Sequence, residues 1–372
     1  MSQRIQTITM PKWGLAMEEG MVVDWLAEEG SSVEAGQDIL EIETTKITNV
    51  YEAPAAGTLR RRIVAEGETV PVGALLGLLA DPAVADSELD AFVERFNADF
   101  AVKAAEAEAA SPKPETVVAG DVSINYLRMG SEGGTPLVLV HGFGGDLNNW
   151  LFNQPALAEK HDVVALDLPG HGRSGKDVGR GDAASLARVL GDFLDAVGIE
   201  RAHLVGHSLG GAVALLFAMQ NPARVAGLTL IAPAGLGPEI DIDFIEGFIA
   251  AGRRKEMQGV LAHLVADPEL ISRDMINDVL KYKRLDGVDR ALRRLADSLF
   301  PSGRQASLDL DDLAKISAPI QVIWGAEDRI LPTSQADGLP ERIEVRRLQG
   351  VGHMPHMEAA AEVNRLIEAA LG

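Results

Sequence analysis

Apolar positions follow three successive rhythms along the 372 residues of the chain. Over roughly the first eighty residues, short apolar runs alternate with glycine-bearing turns, the pattern of short β-strands. Within this stretch Glu29-Gly30-Ser31-Ser32-Val33-Glu34-Ala35-Gly36 recurs as Glu66-Gly67-Glu68-Thr69-Val70-Pro71-Val72-Gly73, an offset of 37 residues that keeps Glu, Gly, Val and Gly in place. Each copy runs into an apolar segment, Ile39-Leu40 and Leu76 to Leu79. Two similar halves of short strands predict a small all-β flattened barrel over residues 1–80. Between the copies lies the polar run Glu43-Thr44-Thr45-Lys46-Ile47-Thr48-Asn49. A hairpin tip at this midpoint would hold Lys46 away from the body.

From residue 81 the period becomes helical. Ser87-Glu88-Leu89-Asp90 reads as a capping box, and Leu89, Phe92, Val93, Phe96 and Phe100 follow at helical spacing. An alanine- and glutamate-rich tail then meets Ser111-Pro112-Lys113-Pro114, where proline removes the donor that a helix needs. An amphipathic helix at about 87–109, within a linker region 81–116, is expected. Its apolar stripe should cover a neighbouring part of the same chain, a partner subunit being the sharper alternative.

Residues 117–372 alternate short apolar runs with helical stretches. The strand candidates are Ile124–Leu127, Leu137–Val140, Val163–Leu166, Ala202–Val205, Leu228–Ile231, Ile320–Trp324 and Val345–Leu348. Helical patterns separate most of them, which predicts a mostly parallel sheet with helices on both faces. Between about 236 and 313 only helix-like stretches occur, Phe244 to His263 and Arg273 to Phe300. An insertion of that kind suggests a helical lid.

Composition narrows the function classes. The chain carries 34 basic and 55 acidic side chains, a formal charge of −21. Such a field repels phosphate backbones and anionic lipid, so no nucleic-acid or membrane partner is expected, and an anionic substrate would need a local basic patch. Cysteine is absent, which removes disulfides, thiolate metal sites and a cysteine nucleophile; no metal is expected. MSQRIQTITM has no apolar signal core, and no 18 apolar residues run together, so a cytoplasmic location is expected.

The strongest chemical motif is Gly206-His207-Ser208-Leu209-Gly210, after a strand-like run and before a helical one. Glycines there permit a sharp strand-to-helix turn that presents the serine oxygen, with helix N-terminal amides behind it. His141-Gly142-Phe143-Gly144-Gly145 follows an earlier strand. Its Phe143 N–H, opposite that of Leu209, could complete an oxyanion hole, whose single donors are each worth about 2.7–4 kcal/mol in known cases. A serine nucleophile requires a base and an orienting acid. Asp328 and His353 lie just beyond two later strands, in the order Ser, Asp, His; Glu327 and His356 are their competitors. Asp167-Leu168-Pro169-Gly170-His171-Gly172-Arg173-Ser174 reads as a structural loop without a catalytic role.

On these motifs, with Trp324-Gly325-Ala326-Glu327-Asp328 and Gly350-Val351-Gly352-His353, residues 120–372 resemble an α/β-hydrolase. The resemblance implies Ser208 as nucleophile, His353 as base, Asp328 as its partner, and oxyanion amides at Phe143 and Leu209. Residues 5–80 resemble a biotinyl/lipoyl carrier domain, through the pseudo-repeat, Glu41-Ile42-Glu43-Thr44-Thr45-Lys46 and Ala53-Pro54-Ala55-Ala56-Gly57. Biotin domains flank the modified lysine with methionines; Thr45 and Ile47 stand there instead, which implies lipoate on Lys46. No histidine begins the H-x-x-x-D-G string of chloramphenicol-acetyltransferase-like subunits. A lipoyl domain on a hydrolase fold resembles instead the acyltransferase component of acetoin-cleaving dehydrogenase systems. That implies acetyl transfer from lipoyl-Lys46 to coenzyme A. It also implies a thiamine-diphosphate-dependent enzyme and a flavin-dependent dihydrolipoamide dehydrogenase as partners, with this subunit a homo-oligomer. The competing readings are a serine hydrolase (esterase, thioesterase or carbon–carbon hydrolase) that carries a lipoyl module, and a scaffold with an idle hydrolase domain.

Overall fold

In the computed structural model the described residues are 5–13, 17, 19–44, 48–110, 112–131 and 133–371, with the side chains of 106–110 left aside. The chain divides into two compact units, Met1–Ser111 and Pro112–Gly372.

The first unit contains β1 (Ile5–Thr9), β2 (Glu19–Trp25), β3 (Ser32–Val33), β4 (Asp38–Glu43), β5 (Thr48–Glu52), β6 (Gly57–Arg62), β7 (Thr69–Pro71), β8 (Leu75–Ala80) and helix α1 (Asp86–Ala110). Two four-stranded sheets form, β1-β8-β6-β3 and β5-β4-β2-β7, around a core that includes Ile8, Val22, Trp25, Ile42, Leu59 and Leu76. The sequence repeat is physical. Leu26 and Ala27 both donate to the Ile39 carbonyl, and Ile63 and Val64, 37 positions on, both donate to Leu76. Gly30 N–H donates to Leu59, whereas Gly67 N–H donates to Val22, the exchange that a two-fold axis requires. Both glycines turn at positive φ, 87° and 83°, where a side chain would be strained.

Helix α1 lays Leu89, Phe92, Val93 and Phe96 against Leu75 and Leu78 of β8, so its stripe covers its own unit. It begins one residue before the Ser87 cap that its sequence suggests. Arg60 accounts for this start: its guanidinium donates to the carbonyls of Asp81, Pro82 and Val84 and to the Asp86 carboxylate. Asp86 in the first turn also meets Arg61, a placement that the helix dipole favours.

The second unit runs β9 (Glu115–Ala119), β10 (Val122–Met129), β11 (Leu137–Val140), α2 (Gln154–Ala158), β12 (Val163–Leu166), α3 (Ala183–Ala196), β13 (Ala202–His207), α4 (Leu209–Gln220), β14 (Val225–Ile231), α5 (Ile242–Ala250), α6 (Arg254–Leu261), α7 (Arg273–Lys283), α8 (Val288–Leu299), β15 (Ile320–Gly325), β16 (Glu344–Leu348), α9 (Pro355–Glu358) and α10 (Ala360–Ala369). The eight-stranded sheet has the order β16-β15-β14-β13-β11-β12-β10-β9. Strands β11 to β16 pair parallel with one another; β10 pairs antiparallel with β12, and β9 antiparallel with β10. Apolar runs buried on both faces explain the uninterrupted burial of β11, β12, β13 and β15. One face packs Phe193, Val213 and Phe217 of α3 and α4; the other packs Leu157, Val363 and Ile367 of α2 and α10.

Three details depart from the sequence pattern. Strand β9 is an edge strand with Val118 exposed, its apolar run of Val117 to Ala119 being too short to stand out. The stretch Phe244 to His263 breaks at Ala251, because Lys283 Nζ donates to the carbonyls of Phe248, Ile249 and Ala251 at 2.5–2.9 Å and so ends α5. The stretch Arg273 to Phe300 breaks at Gly287, which sits at φ 82° and starts α8.

Register sets the chemistry. Val140 of β11 lies beside Gly206 of β13, and Ile231 of β14 beside both His207 of β13 and Ile323 of β15. The carboxyl ends of these strands are therefore level, and the loops that follow them meet along one edge.

Candidate active site

Ser208 stands between β13 and α4 with φ 51° and ψ −116°, a positive φ that non-glycine residues avoid. Its neighbours hold it there. Ser208 N–H donates to the Ile231 carbonyl, and its own carbonyl accepts from Ala212 and Ala234. The glycines around it are needed for space. A Cβ on Gly206 would lie 2.4 Å from the Gly210 carbonyl oxygen, and one on Gly210 would lie 2.1 Å from that of Val140. Leu209 opens α4, a position where the backbone N–H has no intrahelical acceptor.

The loop after β11 comes close to this turn: a Cβ on Gly142 would stand 3.0 Å from Ser208 Cβ and 2.9 Å from His207 Nδ1. His141 fixes the loop from beneath. Leu168 N–H donates to His141 Nε2 at 3.0 Å, so the ring proton sits on Nδ1, which donates to the Gly142 carbonyl. The Phe143 ring is enclosed by Phe300, His171 and Phe248, with ring centres 5.8, 6.0 and 6.3 Å away. Lys283 lies 5.4 Å above the Phe248 ring as well as capping α5, so a single ammonium orients this aromatic wall.

Asp328 follows β15 and is wholly buried as a side chain. Its Oδ1 accepts from the N–H groups of Ile330 and Leu331; its Oδ2 accepts from Trp324 Nε1 and from His353 Nδ1, both at 2.8 Å. With Nδ1 donating to a carboxylate, Nε2 of His353 is left with a lone pair. The loop after β16 is held on every side. His353 N–H donates to the Leu264 carbonyl, and His207 Nε2–H donates to the His353 carbonyl at 2.8 Å. The His207 and His353 rings are 4.8 Å apart, and His207 directly precedes Ser208.

The two competitors are engaged elsewhere. Glu327 accepts from Val351 N–H. His356 is fully buried between Trp150 and His207, with ring centres 4.6 and 4.5 Å away, and burial pushes its pKa down to about 3. The loop at Asp167 is structural scaffolding in its contacts. Asp167 accepts from Asn125 Nδ2, Leu147 N–H and Arg173 N–H, and Gly172 is so close that a Cβ there would meet the carboxylate at 2.1 Å. Lys46 and its neighbours Thr45 and Ile47 lie outside the described residues. The flanking strands β4 and β5 pair up to Glu43 opposite Thr48.

Glu358, Lys283 and His207 also hold backbone around these loops, through contacts that no motif announces. His207 has at least a visible place, inside the serine turn; the other two act on distant backbone, which no local pattern reports.

Both units are similar to known proteins. The alpha/beta hydrolase fold family model matches residues 135–360, and the model described as biotin-requiring enzyme (biotin/lipoyl) matches residues 6–79. The chain is 48% identical over 373 aligned positions to the dihydrolipoyllysine-residue acetyltransferase component of the acetoin cleaving system of Pseudomonas putida, covering 100% of this chain and 99% of that one. It is 43% identical to the component of the same name from Cupriavidus necator, covering 100% and 98%. Among solved structures, a bacterial membrane phospholipase A is 29% identical with a TM-score of 0.62, over 73% of this chain and 89% of that one. A serine hydrolase involved in carbazole degradation is 25% identical with a TM-score of 0.62, over 70% and 99%. The chain belongs to the family of dihydrolipoyllysine-residue acetyltransferase components of acetoin cleaving systems, a biotin/lipoyl-type domain joined to an α/β-hydrolase fold.

Proposed function

We propose that this protein moves an acetyl group from a thioester borne on Lys46 to coenzyme A, with Ser208 as the covalent relay. The observation that carries the reading is the buried Asp328–His353 contact of 2.8 Å, with the His353 ring 4.8 Å from that of His207, the residue before a serine held at positive φ, in a chain whose other unit is of the lipoyl type. Lipoate amide-linked to Lys46 supplies a dithiol that carries acetyl as a thioester, and that thioester is the substrate. Strands β4 and β5, which flank Lys46 in sequence, pair antiparallel up to Glu43 opposite Thr48 and so suit such an attachment.

Ser208 Oγ attacks the acetyl carbonyl carbon while His353 Nε2 takes its proton, and the N–H groups of Phe143 and Leu209 hold the oxyanion. The carbon–sulfur bond breaks as His353 returns the proton to the departing thiolate. The coenzyme A thiol then attacks acetyl-Ser208, giving its proton to His353; the serine ester bond breaks and Ser208 regains the proton. Asp328 keeps the His353 ring in the tautomer that both steps use. The helices α5 to α8 serve as a lid, and the aromatic wall of Phe143, Phe248 and Phe300 keeps water from competing with the thiol.

As a component of an acetoin cleaving system the chain works within a multienzyme assembly. Its proposed partners there are a thiamine-diphosphate-dependent enzyme that loads the acetyl group and a flavin-dependent dihydrolipoamide dehydrogenase that reoxidises the dithiol. The subunit itself is proposed to be a homo-oligomer in the cytoplasm. Among the described residues no helix is long and apolar enough to cross a membrane. Ser208→Ala should lower acetyl transfer by at least about a thousandfold. Near-normal transfer in that variant would remove the covalent serine, and acetate in place of acetyl-coenzyme A as the wild-type product would favour a hydrolase.

A further inference from the structure

Glu358, the last residue of α9, points its carboxylate back into the loop that carries His353. Oε1 accepts from Gly352 N–H at 3.0 Å and Met354 N–H at 3.1 Å, the residues on either side of His353. Oε2 accepts again from Gly352 N–H at 3.0 Å and from Ala266 N–H at 2.7 Å. Ala266 belongs to the segment that leaves α6 on its way to α7. That segment already accepts the His353 N–H at the Leu264 carbonyl. The approach is so close that a Cβ on Gly352 would stand 2.7 Å from Ala266 N and 2.8 Å from the Val265 carbonyl carbon.

We propose that Glu358 is a positioning residue for the transfer reaction, a carboxylate clamp that fixes His353 against the helical insertion. The proposal rests on the reading of His353 as the base. A surface glutamate would have no reason to gather three backbone donors from two separate segments. A carboxylate offers about four acceptor sites, and charge-assisted bonds to backbone N–H groups are roughly twice as strong as neutral ones. The loop after β16 has no regular hydrogen bonding of its own around His353. Without the clamp, Gly352 and Met354 would lose their acceptor, and the ring could drift from Ser208 while Asp328 still held Nδ1. A displacement near 1 Å in a reacting group can cost on the order of a hundredfold in rate.

The test compares Glu358→Gln, Glu358→Asp and His353→Ala in the full-length lipoylated chain, with acetyl transfer to coenzyme A and fluorophosphonate labelling of Ser208 as readouts. Glu358→Gln keeps the shape but turns an N–H₂ group toward backbone donors. Its kcat should fall about 10- to 100-fold and its labelling rate should fall in parallel, with KM for coenzyme A within about twofold of wild type. Glu358→Asp, with the charge kept but withdrawn, should show a smaller loss in kcat at the same KM. Wild-type kcat and labelling in folded Glu358→Gln would overturn the proposal. If that variant does not fold, Glu358→Asp decides: reduced kcat at wild-type Tm supports the clamp, and full kcat overturns it. His353→Ala separates the two layers. Full activity there sinks the underlying reading, whereas an inactive His353→Ala beside a fully active Glu358→Gln sinks only the clamp.

Discussion

Asp328 Oδ2 lies 2.8 Å from His353 Nδ1, across 25 positions of sequence and two strand ends. The other three bonds to the Asp328 carboxylate, from Trp324 Nε1 and the N–H groups of Ile330 and Leu331, leave it one orientation. The acid is therefore set before substrate arrives, and the histidine ring has a single productive tautomer.

Asp328→Asn should preserve the fold and lose the chemistry. An amide N–H₂ at Oδ2 would face donors, so the His353 ring would settle with its proton on Nε2, where the serine proton must go. A loss of about 10³- to 10⁴-fold in kcat is expected, with little change in Tm. Steady-state kinetics beside a thermal melt checks it; a loss below about tenfold would contradict the tautomer assignment.

Acyl length should respond to the aromatic wall. Phe248 packs on Phe143 at 6.3 Å, and Gly144 allows it no retreat, since a Cβ there would meet the ring at 2.6 Å. Phe248→Leu leaves a smaller side chain and should admit longer acyl groups, raising butyryl relative to acetyl transfer by about tenfold or more, a methylene being worth roughly 10- to 200-fold. Lys283→Met should loosen the same wall by stripping the donor from three carbonyls, at a cost of about 1–3 kcal/mol in urea unfolding. Unchanged chain-length preference in Phe248→Leu would place the acyl group elsewhere.

Much of this was legible in the sequence. The 37-residue repeat forecast the two sheets because paired glycine turns at positive φ cannot be moved without strain. Ser208 and Asp328 were legible because each follows a buried apolar strand, and His353 because it follows the next strand of the same parallel sheet, whose ends lie together. What stayed hidden depends on long-range contacts. Lys283 looks like any solvated lysine near a helix end, yet it is only 8% exposed and bonded to the end of another helix. Glu358 likewise resembles a surface acid, and its partners Ala266, Gly352 and Met354 are found only by folding. The break at Ala251 follows from the Lys283 contact and so was hidden with it.

Acid should destabilise the fold before it reaches the usual carboxylate range. Burial pushes His203 down to about 4 and His356 down to about 3, and depresses His141, His171 and His207 as well. The unfolded chain takes up these protons near 6.5. Stability is thus fully present above that pH and is lost as pH falls, by about 1.4 kcal/mol per unit for each histidine kept neutral. Asp146, pushed up to about 6 by burial and by Asp167, acts in the opposite direction over part of the window but is one group against five. Urea midpoints should drop between pH 7 and pH 5, and His356→Phe should flatten the slope by about one proton. An equal slope in that variant would mean that His356 is charged in the fold.

Withholding coenzyme A gives the most direct test of the serine relay. The lipoylated chain, loaded with acetyl and quenched in acid, can be digested and its peptides weighed. One acetyl increment on the peptide that contains Ser208, lost when coenzyme A is added, is the expected result. An unmodified Ser208 peptide in a preparation that still forms acetyl-coenzyme A at full rate would contradict it.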